Sequence, residues 1–512
     1  MADLDWLKII DPPAAAESCR AEQFGDWLRD PWGWPELSYL AANPQLVVDR
    51  IASGRTRFER INVPKINFGT RPGVAQSPVD RMAYHAVVNS ISLKVIGDLP
   101  SFVGGWRLSH DDPKAGRVVN NKQEYLRFVA NRRAAHDAHD TLLGSDITNF
   151  FGSIDVQRLL GLVTYRAGRT APVDALAAIL ETFDGLPDRS GIPQRSTPSS
   201  MLANAFLGPL DDVLLRYGQA KDATVSRWMD DIWVFGGSVE DLRCLQLDVQ
   251  DTLREIGLEI NLGKTFIREG DAAVETMRDT DLDREPPFIQ FEMSGTPYVA
   301  EHNPEDLDRH IERFMASPER TDKTTISYIC GRIRDYERWD LIDGLLPAIE
   351  DAPHGADHFS RLLGRSGKWE GLDEWWTSIA SKPNGLRRVP WPVAQLGTMF
   401  PSDRPVDRVA DYLASMLDNG FWALEFVGLA AHRLSKWRPD DARVLLRKVG
   451  FESESPLVRR TAAFALHNLG DDAPRVRSVL KEFDENAAAL QVVEEHGKKP
   501  IAEAADFAGV HA

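Results

Sequence analysis

Cysteine is scarce: Cys19, Cys244 and Cys330 are all there are in 512 residues, far apart and without a CxxC spacing. That argues against a disulfide framework or a structural zinc site and makes a reducing cytoplasm the default location. Long apolar runs are missing as well, and with them any stretch able to span a bilayer, so no membrane partner is expected. The N-terminus, MADLDWLKIIDPP, lacks the basic and then apolar pattern of a secretory signal. Positive charge is in deficit too, at 60 Lys+Arg against 77 Asp+Glu for a net −17. Taken globally, that balance speaks against a nucleic-acid partner.

What is there is unevenly spread. Residues 51–170 hold 17 Lys+Arg against 10 Asp+Glu, a local basic excess of the kind that attracts phosphate within an acidic chain. The length implies two or three domains, because single cores rarely grow past roughly 250–300 residues. Residues 1–54 read as short helices broken by DPP and DPWGWP, a lead-in to the main domain. Over 55–300, helical stretches such as YHAVVNSISLKVI and SMLANAFLGPLDDVLLRYG alternate with strand-like runs, TLLGSDITNFF and TVSRWMDDIWVFGG. The mixture predicts an α+β domain with an antiparallel sheet. Over 301–490 the strand signals fade and amphipathic helices follow one another. There EFVGLAAHRL (425–434) aligns without gaps on RTAAFALHNL (460–469), as in stacked helix pairs. The tail, 491–512, has little to bury and is expected to fray.

The stretch RWMDDIWVF places Asp230 and Asp231 side by side among β-forming residues. Burying one unpaired carboxylate is costly and burying two is worse, since the anions also repel. Asp146, after the apolar Thr141-Leu142-Leu143, is a third. Two acids at a hairpin and one at a strand end suffice to hold a pair of divalent cations about 4 Å apart. Hard ions of the Mg²⁺ type, with Mn²⁺ as a substitute, take such oxygen ligands. An isolated Asp-Asp is otherwise an ordinary solvated turn.

The ordered blocks around these acids resemble reverse transcriptases over most of residues 55–270. INVPKINFGTRPG with DRMAYHAVV looks like their fingers segment and SDITNFFGSID like motif A. GIPQRSTPSSMLANAFLGPLD is similar to motif B, RWMDDIWVF to motif C and GLEINLGKTFI to motif D. The resemblance implies a right-hand-like fingers and palm domain and a polymerase that joins dNTPs by two-metal chemistry. It implies that Asp146, Asp230 and Asp231 hold the metals and that Phe151 is a steric gate against a ribose 2′-OH. Lys65 and Arg71 would grip the β- and γ-phosphates, Gln194 would line the nucleotide site, and Lys264 would act as general acid toward pyrophosphate. Two positions depart from the family pattern: Arg195 follows Gln194 where glycine is usual, and Trp228 replaces tyrosine.

No ribonuclease H, integrase or HNH-like segment is recognisable after residue 300, and the retron Val-Thr-Gly element is not evident. A compact polymerase followed by HEAT-like helices instead resembles the prokaryotic defence-associated and abortive-infection reverse transcriptases. That implies an antiphage role, homo-oligomers, and DNA synthesis on a non-coding RNA template or on none. Two alternatives stand beside it: a retron-type enzyme making RNA-linked DNA, and a silent palm that acts as a scaffold through its helical repeats.

Overall fold

The computed structural model describes residues 4–23, 26–109, 111–112, 115–282, 289–291, 297–299, 304–367, 371–382, 388–505 and 507. The chain forms two compact units and passes between them more than once. One comprises Met1–Asp26, Leu37–Phe58 and Pro78–Asp281; the other comprises Trp27–Glu36, Glu59–Ser77 and Leu282–Ala512. The fingers-like segment, which forms the hairpin β1 (Glu59–Pro64) and β2 (Thr70–Ala75), therefore groups with the C-terminal helices.

The first unit is built on a sheet of β3 (Val103–Gly104), β4 (Thr141–Ser145), β5 (Thr224–Trp228), β6 (Asp231–Phe235) and β7 (Phe266–Glu269) in the order β3-β5-β6-β4-β7. It is antiparallel except for the short β3–β5 pair, which runs parallel. All five residues of β4 are buried, as a central strand with neighbours on both edges requires. Gly144 belongs there because a Cβ would meet the Phe266 ring at 2.4 Å. Helix α1 (Pro12–Gln23) packs on α2 (Pro78–Ile96), which is buried on nearly every side. The expected strand TLLGSDITNFF stops at Ser145, and a single turn of helix, α4 (Phe150–Ser153), follows, after α3 (Asn121–Ala138) earlier in the chain. The expected helix 200–218 is broken at Leu207 into α5 (Thr197–Phe206) and α6 (Gly208–Lys221). Pro209 is the cause, since it has no N–H to continue the ladder.

Every described element of the second unit from Pro304 onward is helical. The two similar segments lie in α7 (Leu424–Trp437) and α9 (Pro456–Asn468), which pack on each other, and α8 (Pro439–Glu452) packs on both. Arg460, fully enclosed, binds Asp30 at 2.6 and 3.1 Å and Glu36 at 2.9 Å, and lies over the Trp34 and Phe464 rings at 4.6 and 4.5 Å. Glu59 at the start of β1 accepts from Leu457 N at 3.1 Å and from the Ser455 hydroxyl, so the hairpin's carboxylate caps α9.

The tail does not fray over its described part. The Asn468 amide bonds both the carbonyl and the N–H of Ile501, at 2.9 and 2.8 Å. Arg433 donates to the carbonyls of Phe400, Thr398 and Phe507. Ile501 and Phe507 are 2% and 3% exposed. Two apolar side chains, each fully buried, anchor a segment whose composition alone suggests little to bury. Among the described residues no helix is long and apolar enough to cross a membrane.

Candidate active site

Strand β4 delivers Asp146 to the edge of the first unit's sheet. Ser145 pairs with Ile232 at the end of the antiparallel ladder, so Asp146 leaves the strand beside the turn that joins β5 to β6. The chain beyond is zipped to a second segment: Asn261 N donates to the Asp146 carbonyl at 2.7 Å, Thr148 N to the Glu259 carbonyl at 2.8 Å, and Ile147 bridges Ile260. This places the turn Asn261–Lys264 over the Asp146 side chain. Its Oδ2 accepts from Asn261 Nδ2 at 3.1 Å and pairs with Lys264 Nζ at 3.0 Å. Asp146 and Lys264, 118 positions apart in the chain, are thus in direct contact.

Strands β5 and β6 are joined by a two-residue loop, Met229-Asp230, between the paired Trp228 and Asp231. Met229 takes φ +56°, a left-handed conformation that suits glycine and that costs an L residue about 1–2 kcal/mol. The tight loop projects Asp230 at the hairpin's tip. Its pKa is raised to about 6, by burial first and then by the Asp146 and Asp231 charges, against the opposing pull of its own backbone N–H and of Lys264. Asp231 Oδ1 accepts from Trp233 Nε1 at 2.8 Å. Trp228 is a partly buried ring packed against the core, set among Trp106, Tyr125 and Phe128 at 5.6, 5.2 and 5.7 Å between centroids. Gly104 lies against it so closely that a Cβ would approach to 2.8 Å.

The segment that leads into Gln194, residues 190–192, is bonded to Phe151 and Gly152 through the backbone. Ile192 N donates to the Phe151 carbonyl at 3.0 Å and the Ser190 hydroxyl to the Gly152 carbonyl at 2.7 Å. Gly191, at φ +73°, rests on Phe151 so tightly that a Cβ would lie 2.1 Å from its carbonyl oxygen. Asn149, at φ +46°, turns the chain into α4, where Phe150 is buried while Phe151 stays partly exposed. Arg195 is exposed and has φ +61°. The backbone there is one that glycine adopts without strain, which accounts for the glycine usual at that position and leaves this chain with a strained cation in its stead.

Lys65 and Arg71 sit on the β1–β2 hairpin, in the second unit. Lys65 N closes the loop by donating to the Gly69 carbonyl at 2.7 Å, and Arg71 pairs with Val63. Arg227, Asp211 and Asn204 are site neighbours that the motif reading passed over. Arg227 is fully buried and bonded to both other side chains. In its strand, Thr-Val-Ser-Arg-Trp, only Ser226 and Arg227 are buried, so no apolar run marked the arginine.

The donors suit a hard divalent cation: carboxylate oxygens, one of them desolvated and facing like charges. They are not closed around a common point as they stand, and among the described residues no group of three or more His, Cys, Asp and Glu side chains is poised to hold a metal. Asp146 is turned to Asn261 and Lys264, and Asp231 to Trp233. Asn261 and Lys264 both engage Asp146 Oδ2, so that oxygen takes a cation only where they yield it.

Residues 97–285 match the family described as reverse transcriptase (RNA-dependent DNA polymerase). No curated protein matches the chain. Among solved structures, telomerase from Candida tropicalis in complex with a TWJ fragment of telomeric RNA aligns at 9% identity, covering 70% of this chain and 68% of that one with a TM-score of 0.29. The apo form from the same organism gives 10%, 69%, 73% and 0.30. Telomerase from Candida albicans with the TWJ fragment gives 10%, 90%, 71% and 0.28. Scores of this size do not establish a common fold, and the assignment rests on the family match. Reverse transcriptase domains use divalent metal ions, which agrees with the carboxylates found at the sheet edge. Residues 97–285 are accordingly a reverse transcriptase domain, and the enzyme class that goes with it is RNA-directed DNA polymerase.

Proposed function

We propose that the chain extends DNA from dNTPs at the edge formed by Asp146, Asp230 and Asp231, on a non-coding RNA template or without one, as part of antiphage defence in the cytoplasm. The observation that carries the catalytic half is the meeting of Asp146, Asp230 and Lys264: two carboxylates that repel in a desolvated place, with an ammonium 3.0 Å from one of them. A pair of Mg²⁺ ions, or Mn²⁺, held by Asp146, Asp230 and Asp231 would neutralise charge at the primer hydroxyl and the leaving pyrophosphate.

The remaining roles belong to the chain's own groups. Lys264 holds a proton beside Asp146 and can donate it to the departing pyrophosphate. Phe151, fixed through its carbonyl by Ile192, presents a ring that crowds a 2′-OH. Gln194, just after Ile192 in the chain, lines the nucleotide site. Lys65 as a point charge and Arg71 as a planar fork are suited to the β- and γ-phosphates. The helices after residue 300, HEAT-like in their pairing, serve self-association into a homo-oligomer in this reading.

The defence half rests on the resemblance to abortive-infection reverse transcriptases. Its test is a phage challenge of cells expressing the chain or its Asp230→Ala/Asp231→Ala double variant, with sequencing of the nucleic acid that copurifies with each. Protection and copurifying DNA are expected with the parent alone. Equal protection by both would refute a catalytic role in defence, and would favour the scaffold reading.

A further inference from the structure

Arg227 has no part in the chemistry above, yet it is the most heavily bonded side chain near the acids. It lies on β5 with no exposed surface. Its Nε and Nη2 donate to the two Asp211 oxygens at 2.7 Å each, and its Nη1 donates to Asn204 Oδ1 at 3.1 Å and to the Met229 carbonyl at 2.9 Å. Asn204, on α5, in turn donates to the Gly105 carbonyl at 3.2 Å. Asp211, on α6, is 2% exposed. The guanidinium plane is therefore held on two sides before it reaches the hairpin, as a bidentate arginine–carboxylate pair allows and a lysine does not.

The Met229 carbonyl and the Asp230 N–H belong to one planar peptide unit. A hydrogen bond that fixes the carbonyl fixes the plane, and with it the N–Cα bond on which the Asp230 side chain is mounted. Met229 is also the residue with φ +56°, a conformation that persists only where its surroundings over-determine it. We propose that Arg227, clamped by Asp211 and Asn204, is a positioning residue: it holds the Met229–Asp230 peptide in its strained turn and so aims the Asp230 carboxylate. This rests on the polymerase reading of the site.

A buried ion pair with only a structural role would alter stability and leave metal affinity unchanged in whatever fraction stays folded. The two roles separate in the full chain carrying Arg227→Lys, which keeps the charge and loses the fork. Asn204→Ala serves as a second variant that leaves the Asp211 pair intact and is expected to fold. The first readout is the thermal midpoint against Mn²⁺ concentration, without nucleotide. The second is kcat and KM for dTTP on an RNA homopolymer template with a DNA primer. The Mn²⁺ needed for half of the thermal response should rise about tenfold in Arg227→Lys and about threefold in Asn204→Ala. Turnover should fall in the same order, with KM for dTTP within about twofold of the parent. A folded variant with the parent's Mn²⁺ dependence would overturn the positioning role alone. A parent with no Mn²⁺ response would overturn the reading of the acids, and this inference with it.

Discussion

Asp230→Asn should lose at least about a hundredfold in deoxynucleotide incorporation and at the same time make the metal-free chain more stable. The second half follows from electrostatics. At neutral pH the Asp230 carboxylate is ionised in a half-buried, poorly solvated place beside Asp146 and Asp231, which is why its pKa is raised from 3.8 to about 6. A pKa above the unfolded value means that the folded state gains by keeping the proton. That stability is present in full below about pH 4 and is lost as pH rises through about 6. An amide of the same shape removes the penalty, a gain on the order of 1–3 kcal/mol above pH 6. Urea unfolding of both proteins with a chelator, between about pH 4 and 8, should give a sloping profile for the parent and a flatter one for the variant. A variant less stable than the parent at every pH would mean that Asp230 is a structural residue.

Phe151→Ala should admit ribonucleotides. The ratio of kcat/KM for dNTP to that for rNTP is expected to fall by about two orders of magnitude. The selectivity is steric, so it requires a ring that cannot retreat. Phe151 meets that requirement from two directions. Its carbonyl is fixed by Ile192 N at 3.0 Å, and Phe150 stands behind it, edge to face, with centroids 5.3 Å apart. Turnover with dNTPs should change far less than the ratio does. A ratio equal to the parent's would place the discriminating contact elsewhere.

Parts of this were legible in the chain and parts were not, for physical reasons. The strands β4 and β6 announced themselves because central strands are apolar, β5 only through the β-forming run it shares with β6, and Asp146, Asp230 and Asp231 stood out as charges where such runs meet turns. The extent of α4 and the break at Leu207 depended on a single residue each, Asn149 with its left-handed backbone and Pro209 with its missing N–H. Arg227 looked like any arginine. Its meaning comes from Asp211 and Asn204, which lie on other elements at distances of 16 and 23 positions in the chain, and no local pattern encodes such a pairing. The grouping of the β1–β2 hairpin with the C-terminal helices rests likewise on contacts such as Glu59 with Leu457, 398 positions apart. The tail's docking hangs on one asparagine amide and two apolar residues, too few to register in composition. In each case the missed feature is long-range and specific, whereas the features read correctly are periodic and local.

The account stands on the acids at the sheet edge serving as metal ligands. Anomalous diffraction from the protein with Mn²⁺ and an unreactive dNTP analogue measures this directly. The expected result is manganese within about 2–2.6 Å of oxygens from both Asp146 and Asp230, with Lys264 displaced from Asp146. Manganese absent from these oxygens, with the 3.0 Å pair of Lys264 and Asp146 intact in the presence of nucleotide, would contradict it.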